Sequence, residues 1–144
     1  MAVSVQEADF DVAAEMAALT AGRADIGALV SFTGLVREVA GGNGGMVLEH
    51  YPGMTEKALA GIEAEAQKRW QLQACRIVHR YGALDPAAQI VLVVTAAKHR
   101  QSAFEAAEFI MDFLKSRAPF WKKEAGQGWV DAREADEEAL SRWR

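Results

Sequence analysis

A short cationic segment carries the residue types that suit chemistry on an anion. Residues 115–123 read KSRAPFWKK, with four cations and no acid, in a chain whose formal net charge is -4. Because Pro119 cannot continue a helix, we expect a helix to end near Lys115 and Lys122 to lie on a following extended segment. Seven extended residues span roughly 23 to 25 Å. Only a sharp bend near Pro119 would therefore bring both amines to one pocket.

Positive charge is concentrated around this segment. Lys98 to Lys123 hold six Lys or Arg against three acidic residues, so this region carries +3 and the rest of the chain -7. Such clustering favours a small anionic ligand. The isoelectric point near 5.4 argues against general nucleic-acid binding, which needs a broad basic face.

The lysines also have ordinary structural explanations. A lysine in the last turn of a helix commonly caps its C-terminus, which is the simpler interpretation of Lys115 taken alone. Lys122 and Lys123 are adjacent on a predicted strand and point to opposite faces, so at most one faces a common pocket. The helix dipole favours the charged form of Lys115, whereas an aromatic pocket and nearby cations favour the neutral amine. The sequence leaves its protonation state open.

A second candidate site for an anion lies where a strand meets a helix. His99 and Arg100 follow an apolar strand predicted for Ile90 to Ala97, which we expect to lie mid-sheet. Ser102 to Glu105 form a capping box that is predicted to open the next helix. Backbone N–H groups at a helix N-terminus favour anions, so this position favours contact with phosphate.

Motifs for a metal or a protein nucleophile are absent from the sequence. The single cysteine, Cys75, excludes an intramolecular disulfide and a multi-cysteine metal site. There is no CxxC, HxxxH, P-loop, GxGxxG or GxSxG pattern. We interpret Cys75 as a small buried hydrophobe, and His50 and His79 as structural hydrogen-bonding residues. We therefore expect neither a metal nor a bound cofactor.

The elements that must position these residues form an α+β pattern with mostly antiparallel pairing, in one domain over residues 1–144. Gly27 to Arg37 and Met46 to Tyr51 are predicted to pair as a long hairpin around a glycine-rich turn, with Arg37 near its tip. Further predicted strands are Val3 to Phe10, Ala74 to Tyr81, Phe120 to Glu124 and Trp129 to Ala132, with a turn at Gly82 to Ala88.

Helices complete the predicted fold. They are expected from Asp11 to about Leu19, from Thr55 to Trp70, from Ser102 to Lys115, and at the C-terminus. The core stripe of the third helix is predicted to be Phe104, Ala107, Met111 and Leu114. The chain start shows no secretory signal pattern, and the longest strongly apolar run is only Ile90 to Val94, so we expect a cytoplasmic protein.

Five motifs in order resemble the catalytic, large subunit of molybdopterin synthase, the MoaE family. They lie at 27–37, 48–54, 79–82, 99–104 and 115–124, and the resemblance covers about residues 25–133. It implies an α/β hammerhead fold with a mostly antiparallel sheet and an additional small β subdomain. It also implies a homodimer at the centre of a heterotetramer, with a small ubiquitin-like sulfur-carrier subunit docked at each end.

The resemblance implies an activity as well. Members convert cyclic pyranopterin monophosphate (precursor Z) to molybdopterin in molybdenum cofactor biosynthesis, taking two sulfurs from the thiocarboxylate at the carrier's Gly-Gly C-terminus. This agrees with the interpretation of the residues. A sulfur-inserting enzyme whose only cysteine is buried must receive activated sulfur from elsewhere.

Motif position then implies the site residues. Lys115 corresponds to the essential catalytic lysine and acts on the thiocarboxylate, while Lys122 assists charge neutralisation or ring opening. Arg133 matches an arginine that reaches the neighbouring protomer's site, although the preceding loop is shorter than is common in the family. We expect phosphate and pterin to be anchored around one site by Arg37, His99, Arg100 and Arg133. The full set of implied substrate contacts is Leu35, Val36, Arg37, His99, Arg100, Lys122, Lys123, Glu124 and Arg133, with Phe32 and Met111 walling the pocket.

Two other functions stay open at this point. One is a non-catalytic anion-binding or scaffold subunit that only docks a ubiquitin-like partner. The other is an enzyme that forms a Schiff base between Lys115 and a phosphorylated carbonyl compound. Binding of a carrier without turnover would favour the first, and borohydride trapping of substrate on Lys115 would favour the second.

Overall fold

The computed structural model describes residues 2–38, 45–124, 128–130, 134–141 and 143. Strands and helices alternate irregularly along this part of the chain. In order, they are β1 Val3–Gln6, α1 Val12–Thr20, β2 Ala28–Leu35, β3 Met46–His50, α2 Met54–Trp70, β4 Ala74–Arg80, β5 Gly82–Leu84, β6 Gln89–Ala97, α3 Arg100–Ser116, β7 Phe120–Glu124, β8 Gly128–Val130 and α4 Glu134–Ser141.

The strands form two four-stranded sheets. The first has the order β1-β4-β6-β2 and the second β5-β3-β7-β8. All pairs are antiparallel except β1 with β4, which is parallel. The mixed α+β class with mostly antiparallel pairing is therefore confirmed, and the second sheet corresponds to the expected small β subdomain.

Strand β6 lies inside the first sheet and is apolar on both faces, as its sequence predicts. Because side chains alternate along a strand, Val91 and Val93 pack into the cluster covered by α2 and α3, while Leu92 and Val94 pack towards α1. Helix α1 begins after Asp11, whose carboxylate accepts the Ala14 N–H at 3.0 Å. The sheet thus has helices on both faces.

The predicted hairpin between the segments now seen as β2 and β3 is wrong. Strand β2 pairs with β6 over its whole length, whereas β3 pairs with β5 and β7 in the second sheet. Alternating apolar residues define the faces of a strand but not its neighbour, and β6 offers β2 a longer apolar partner. The segment that we expected to be only a turn contains β5.

Helix α3 begins two residues earlier than predicted, and a different stripe faces the core. His99, in an extended conformation, is the N-cap, so Ser102 lies within the helix. Phe104 is 61% exposed, and the buried residues are Ala103, Ala106, Ala107, Phe109, Ile110 and Leu114. Periodicity allowed two stripes one residue apart. The small side chains allow a close approach to the sheet, where the Thr95 hydroxyl donates to the Ala103 carbonyl at 2.7 Å.

The chain ends α3 and bends before β7, as predicted from Pro119. The N–H groups of Arg117 and Ala118 both donate to the Phe113 carbonyl, at 2.8 and 3.3 Å, so the last turn is closed by its own backbone. The buried Thr55 hydroxyl lies 2.9 Å from the Tyr51 carbonyl and 3.3 Å from the Pro119 carbonyl. A polar contact from α2 therefore holds the bend.

No helix within the described residues is both long enough and apolar enough to cross a membrane.

Thr55→Val should lower the free energy of unfolding by about 1 to 2 kcal/mol, because the Tyr51 N–H and the carbonyls that face the hydroxyl lose a buried partner. Urea unfolding measures the change. Thr20→Val is the matched control, since that hydroxyl bonds only to carbonyls of its own helix α1, those of Met16 at 3.3 Å and Ala17 at 3.5 Å. Equal losses in the two variants would contradict the role given to Thr55.

Candidate active site

The register of the first sheet decides which predicted site residues can meet. His79 of β4 lies beside Val91 of β6, and Val91 lies beside Gly34 of β2. We call this end of the strands the Arg37 end. At the other end of the same strands, Ala97 of β6 lies beside Ala28 of β2, and we call this the His99 end.

Leu35, Val36 and Arg37 continue the chain at the Arg37 end. Val36 is buried in a small cluster with residues of β3 and β5, and its N–H and carbonyl are hydrogen-bonded to residues 87–88 at 2.9 and 2.8 Å. Leu35 is 55% exposed and Arg37 is also exposed. We interpret Val36 as the residue that fixes the backbone, so that Leu35 and Arg37 face outwards.

Strand β7 joins the same end. Phe120 pairs with His50 and packs against the cluster that contains Val36, and the backbone of Lys122 pairs with that of Leu48. The bend at Pro119 thus returns the backbone of Lys122 towards Arg37. The side chains of Lys122, Lys123 and Glu124 lie outside the part of the chain that the structure describes, as does the whole of Arg133.

Lys115 lies at the Arg37 end too. It occupies the last turn of α3, is exposed, and lies close enough to His79 for its positive charge to lower the pKa of that imidazole. His79 in turn stacks on Phe120, two residues before Lys122. The structure therefore gathers Arg37, Lys115 and the backbone of Lys122 at one end of the sheet.

His99 and Arg100 lie at the opposite end, exposed after β6. Gly27 holds this turn in place, because its N–H donates to the Ala97 carbonyl at 2.9 Å and a Cβ atom on it would lie 2.1 Å from the Lys98 carbonyl oxygen. Strand β2, whose length of eight residues corresponds to roughly 25 Å, separates these residues from Arg37.

Within one chain, the structure therefore does not bring Arg37 together with His99 and Arg100. Arg37 follows the end of β2, and His99 and Arg100 follow the end of β6. Since these two strands are antiparallel, the residues that follow each of them lie at opposite ends of the sheet. Sequence order alone did not show which strands were neighbours.

Strand β2 is the last strand of the first sheet, and within the described residues nothing pairs with its outer edge. Two apolar residues of this strand are exposed, Phe32 by 41% and Leu35 by 55%. Met111, the other residue predicted to wall the pocket, is partly buried against the main core. An edge that carries apolar side chains is suited to pairing with another chain.

An aromatic cluster lies beside Lys115, at the junction of the two sheets. The rings of His79 and Phe120 are stacked, with centroids 3.7 Å apart and planes inclined by 18°. His50 lies 4.4 Å from the Tyr81 ring and 6.2 Å from the Phe120 ring. We call these four side chains the aromatic cluster. The sequence indicates structural roles for both histidines, but it contains no local signal that places His79 next to Lys115.

Burial is the main cause that lowers the pKa of His79 to about 4, and the nearby Lys115 and His50 act in the same direction. A hydrogen bond from Nδ1 to the Arg80 carbonyl, at 2.9 Å, opposes this shift only in part. The ring is therefore neutral at physiological pH. An uncharged imidazole beside Lys115 adds no positive charge to the site.

Cys75 is buried, and burial raises the pKa of its thiol to about 12. A thiol of this kind is a poor nucleophile at neutral pH. The interpretation of Cys75 as a buried hydrophobe is confirmed. Among the described residues there is no group of three or more His, Cys, Asp or Glu side chains arranged to hold a metal ion.

Comparison with known proteins gives a consistent result. A family model described as "MoaE protein" matches residues 5–117. A curated relative from Ralstonia nicotianae, named molybdopterin synthase catalytic subunit, is 60% identical over 146 residues, covering 98% of this chain and 83% of that protein.

Solved structures agree. The "Molybdopterin biosynthesis MoaE protein" from Burkholderia ambifaria is 54% identical with a TM-score of 0.85, over 99% of this chain and 98% of that one. A Helicobacter pylori structure, the "Protein-protein complex of subunit 1 and 2 of Molybdopterin-converting factor", is 20% identical with a TM-score of 0.76, over 93% and 92% of the two chains. At that identity the likeness shows the fold.

The neutral state of His79 makes stability depend on pH in a predictable direction. Above its ordinary pKa of 6.5 the ring is neutral in both states and contributes nothing; below 6.5 the unfolded chain binds a proton that the folded chain binds only near pH 4. The free energy of unfolding should therefore fall as the pH falls through this window, by about 2 to 3 kcal/mol.

Urea unfolding of the wild type and His79→Phe at neutral pH and near pH 4.5 measures this contribution. The variant should lose less stability on acidification, because Phe does not titrate. Val78→Ala, which keeps the histidine, should retain the wild-type pH dependence. An identical loss in the wild type and His79→Phe would show that the ring is not held neutral.

Proposed function

The chain belongs to the MoaE family, whose curated members are molybdopterin synthase catalytic subunits that transfer sulfur in molybdenum cofactor biosynthesis, and we propose that it performs this reaction at the Arg37 end of its first sheet. Its substrate is cyclic pyranopterin monophosphate, precursor Z. Two sulfurs are inserted into it. The observation that carries this proposal is the bend at Pro119, which returns β7 to the place where Lys115 and Arg37 already lie.

Arg37 and Lys115 have complementary tasks in this proposal. The guanidinium of Arg37 binds phosphate through paired N–H donors. Lys115, in the last turn of α3, faces the thiocarboxylate. It either transfers a proton as the carrier's sulfur attacks the pterin side chain, or stabilises the oxyanion that develops when water then cleaves the resulting thioester, which leaves the sulfur on the pterin and a carboxylate on the carrier. Lys122 neutralises charge or assists ring opening, and Leu35, Lys123 and Glu124 border the substrate.

The sulfur comes from a second protein. The thiol of Cys75 is buried with a raised pKa, so the chain has no reactive sulfur of its own to give. The solved Helicobacter pylori complex holds two subunits of its converting factor. By the same arrangement, this chain would dock a small ubiquitin-like carrier whose C-terminal Gly-Gly thiocarboxylate reaches Lys115, and the assembly would work in the cytoplasm.

A second copy of the chain completes the site. His99 and Arg100 lie about one strand length from Arg37 in the same chain, and the exposed outer edge of β2 carries Phe32 and Leu35. If two β2 edges pair antiparallel about a two-fold axis, the Arg37 end of one copy meets the His99 end of the other. The anchoring roles of Arg37, His99 and Arg100 are then compatible, as contributions from two protomers. Arg133 has its proposed role across the same interface.

Lys115→Ala should reduce molybdopterin yield by at least about a hundredfold, the usual cost of removing one donor to a developing oxyanion. The assay combines precursor Z, thiocarboxylated carrier and the variant, with fluorescence detection of the oxidised product. Lys57→Ala, an exposed lysine on α2, is the control and should give the wild-type yield. A full yield from Lys115→Ala would refute the assigned role, and carrier binding without turnover by the wild type would favour a scaffold.

Mixing two inactive variants tests the site between copies. Arg37→Ala and Arg100→Ala should each be impaired alone, but a mixed dimer has one site with both arginines intact. If subunits assort randomly, the refolded mixture should recover about a quarter of the wild-type rate, since half of the dimers are mixed and each has one intact site. A mixture no more active than its components would place both arginines in one chain's site.

A further inference from the structure

We propose that His79 is a positioning residue for sulfur transfer, whose buried ring holds Phe120 and through it the bend between Lys115 and Lys122. This inference rests on the proposed function of the Arg37 end and adds to it a residue that does not touch the substrate. His79 lies on β4 in the first sheet, whereas Phe120 begins β7 in the second. Their contact joins the two sheets directly below the site.

The contact is specific in its geometry. The two rings are nearly parallel with centroids only 3.7 Å apart, and His79 is 7% exposed. Because a carbonyl oxygen can only accept, Nδ1 carries the hydrogen that bonds to the Arg80 carbonyl at 2.9 Å. This bond fixes the plane of the imidazole, so the ring offers Phe120 a flat surface with a defined orientation.

Phe120 transmits this constraint to the bend. It is the first residue after Pro119, and its N–H donates to the Ala118 carbonyl at 2.8 Å. Its backbone pairs with that of His50, which places the start of β7. A Phe120 ring that lost its stacking partner would shift both the end of α3, which carries Lys115, and the strand that carries Lys122.

Histidine suits this position better than a cationic or an aliphatic residue. A Lys or Arg in its place would put a second charge beside Lys115, and an aliphatic residue would not stack on Phe120. The neutral imidazole adds no charge and stacks on Phe120. His50 and Lys115 are the titratable groups whose charges act on it, from β3 and α3 respectively. Phe keeps the ring but loses the hydrogen bond to the Arg80 carbonyl.

Steady-state kinetics with a graded set of variants test the proposal. His79→Ala should lower kcat by about ten- to a hundredfold, the range expected when a reacting group is misplaced by about 1 Å. His79→Phe should restore much of this loss because it keeps the stack. KM for precursor Z should change by less than about twofold in both, because the phosphate anchors are elsewhere.

Val78→Ala is the matched control. Val78 is the preceding residue of β4, is fully buried, and faces the α1 side of the sheet. It should reduce stability without lowering kcat of the folded enzyme. An equal fall in kcat for Val78→Ala and His79→Ala would show a general effect of core damage and overturn the proposal. A wild-type kcat in His79→Ala would also overturn it.

A measurement independent of activity examines the link to Lys115. Imidazole NMR titration should give a higher pKa for His79 in Lys115→Ala than in the wild type, because the positive charge that opposes protonation is gone. Lys98→Ala, at the His99 end, should leave it unchanged. An unchanged pKa in Lys115→Ala would mean that the two groups are not neighbours, and the inference would fail even if His79→Ala did not fold.

The two proposals fail separately. An active Lys115→Ala overturns the catalytic role of that lysine, whatever His79 does. An inactive Lys115→Ala beside a fully active His79→Ala leaves the proposed function intact and removes only the positioning role.

Discussion

The stack of His79 on Phe120 is the contact on which the arrangement of the site depends. It is made where the first sheet, the second sheet and the end of α3 come together, and it stands beside the bend at Pro119. Thr55 holds the same bend from α2 through the Pro119 carbonyl. Elements far apart in sequence thus fix the direction in which the chain leaves Lys115.

The antiparallel pairing of β2 with β6 is the second constraint, because it divides the proposed anion-binding residues between the two ends of the sheet. One chain has Arg37 at one end and His99 with Arg100 at the other, so it cannot place all of them around one phosphate. The outer edge of β2 offers a place where a second copy would pair and bring the separated residues together. A two-fold pair of chains would create two complete sites, and a single chain none.

Much of this fold could be predicted from the sequence, because its signals are local. Pro119 marks the end of α3, and the apolar run from Ile90 marks a central strand. Strand partners are not local. The strand β2 was predicted, yet its neighbour was not, and motif position in the family says nothing about which strand end carries each residue. The stack beneath Lys115 was missed for the same reason, since His79 and Phe120 are forty-one positions apart in the printed sequence.

Burial separates the groups that hold the site from the groups that act in it. Moving a charge out of water is costly, so the buried polar side chains, such as Thr55, Cys75 and His79, are uncharged. Arg37 and Lys115 remain exposed at the Arg37 end. An exposed cation has little catalytic power unless its position is fixed, because water screens it and its side chain moves. The buried neutral groups would supply that fixed position, so the chemistry of the site depends on residues that never meet the substrate.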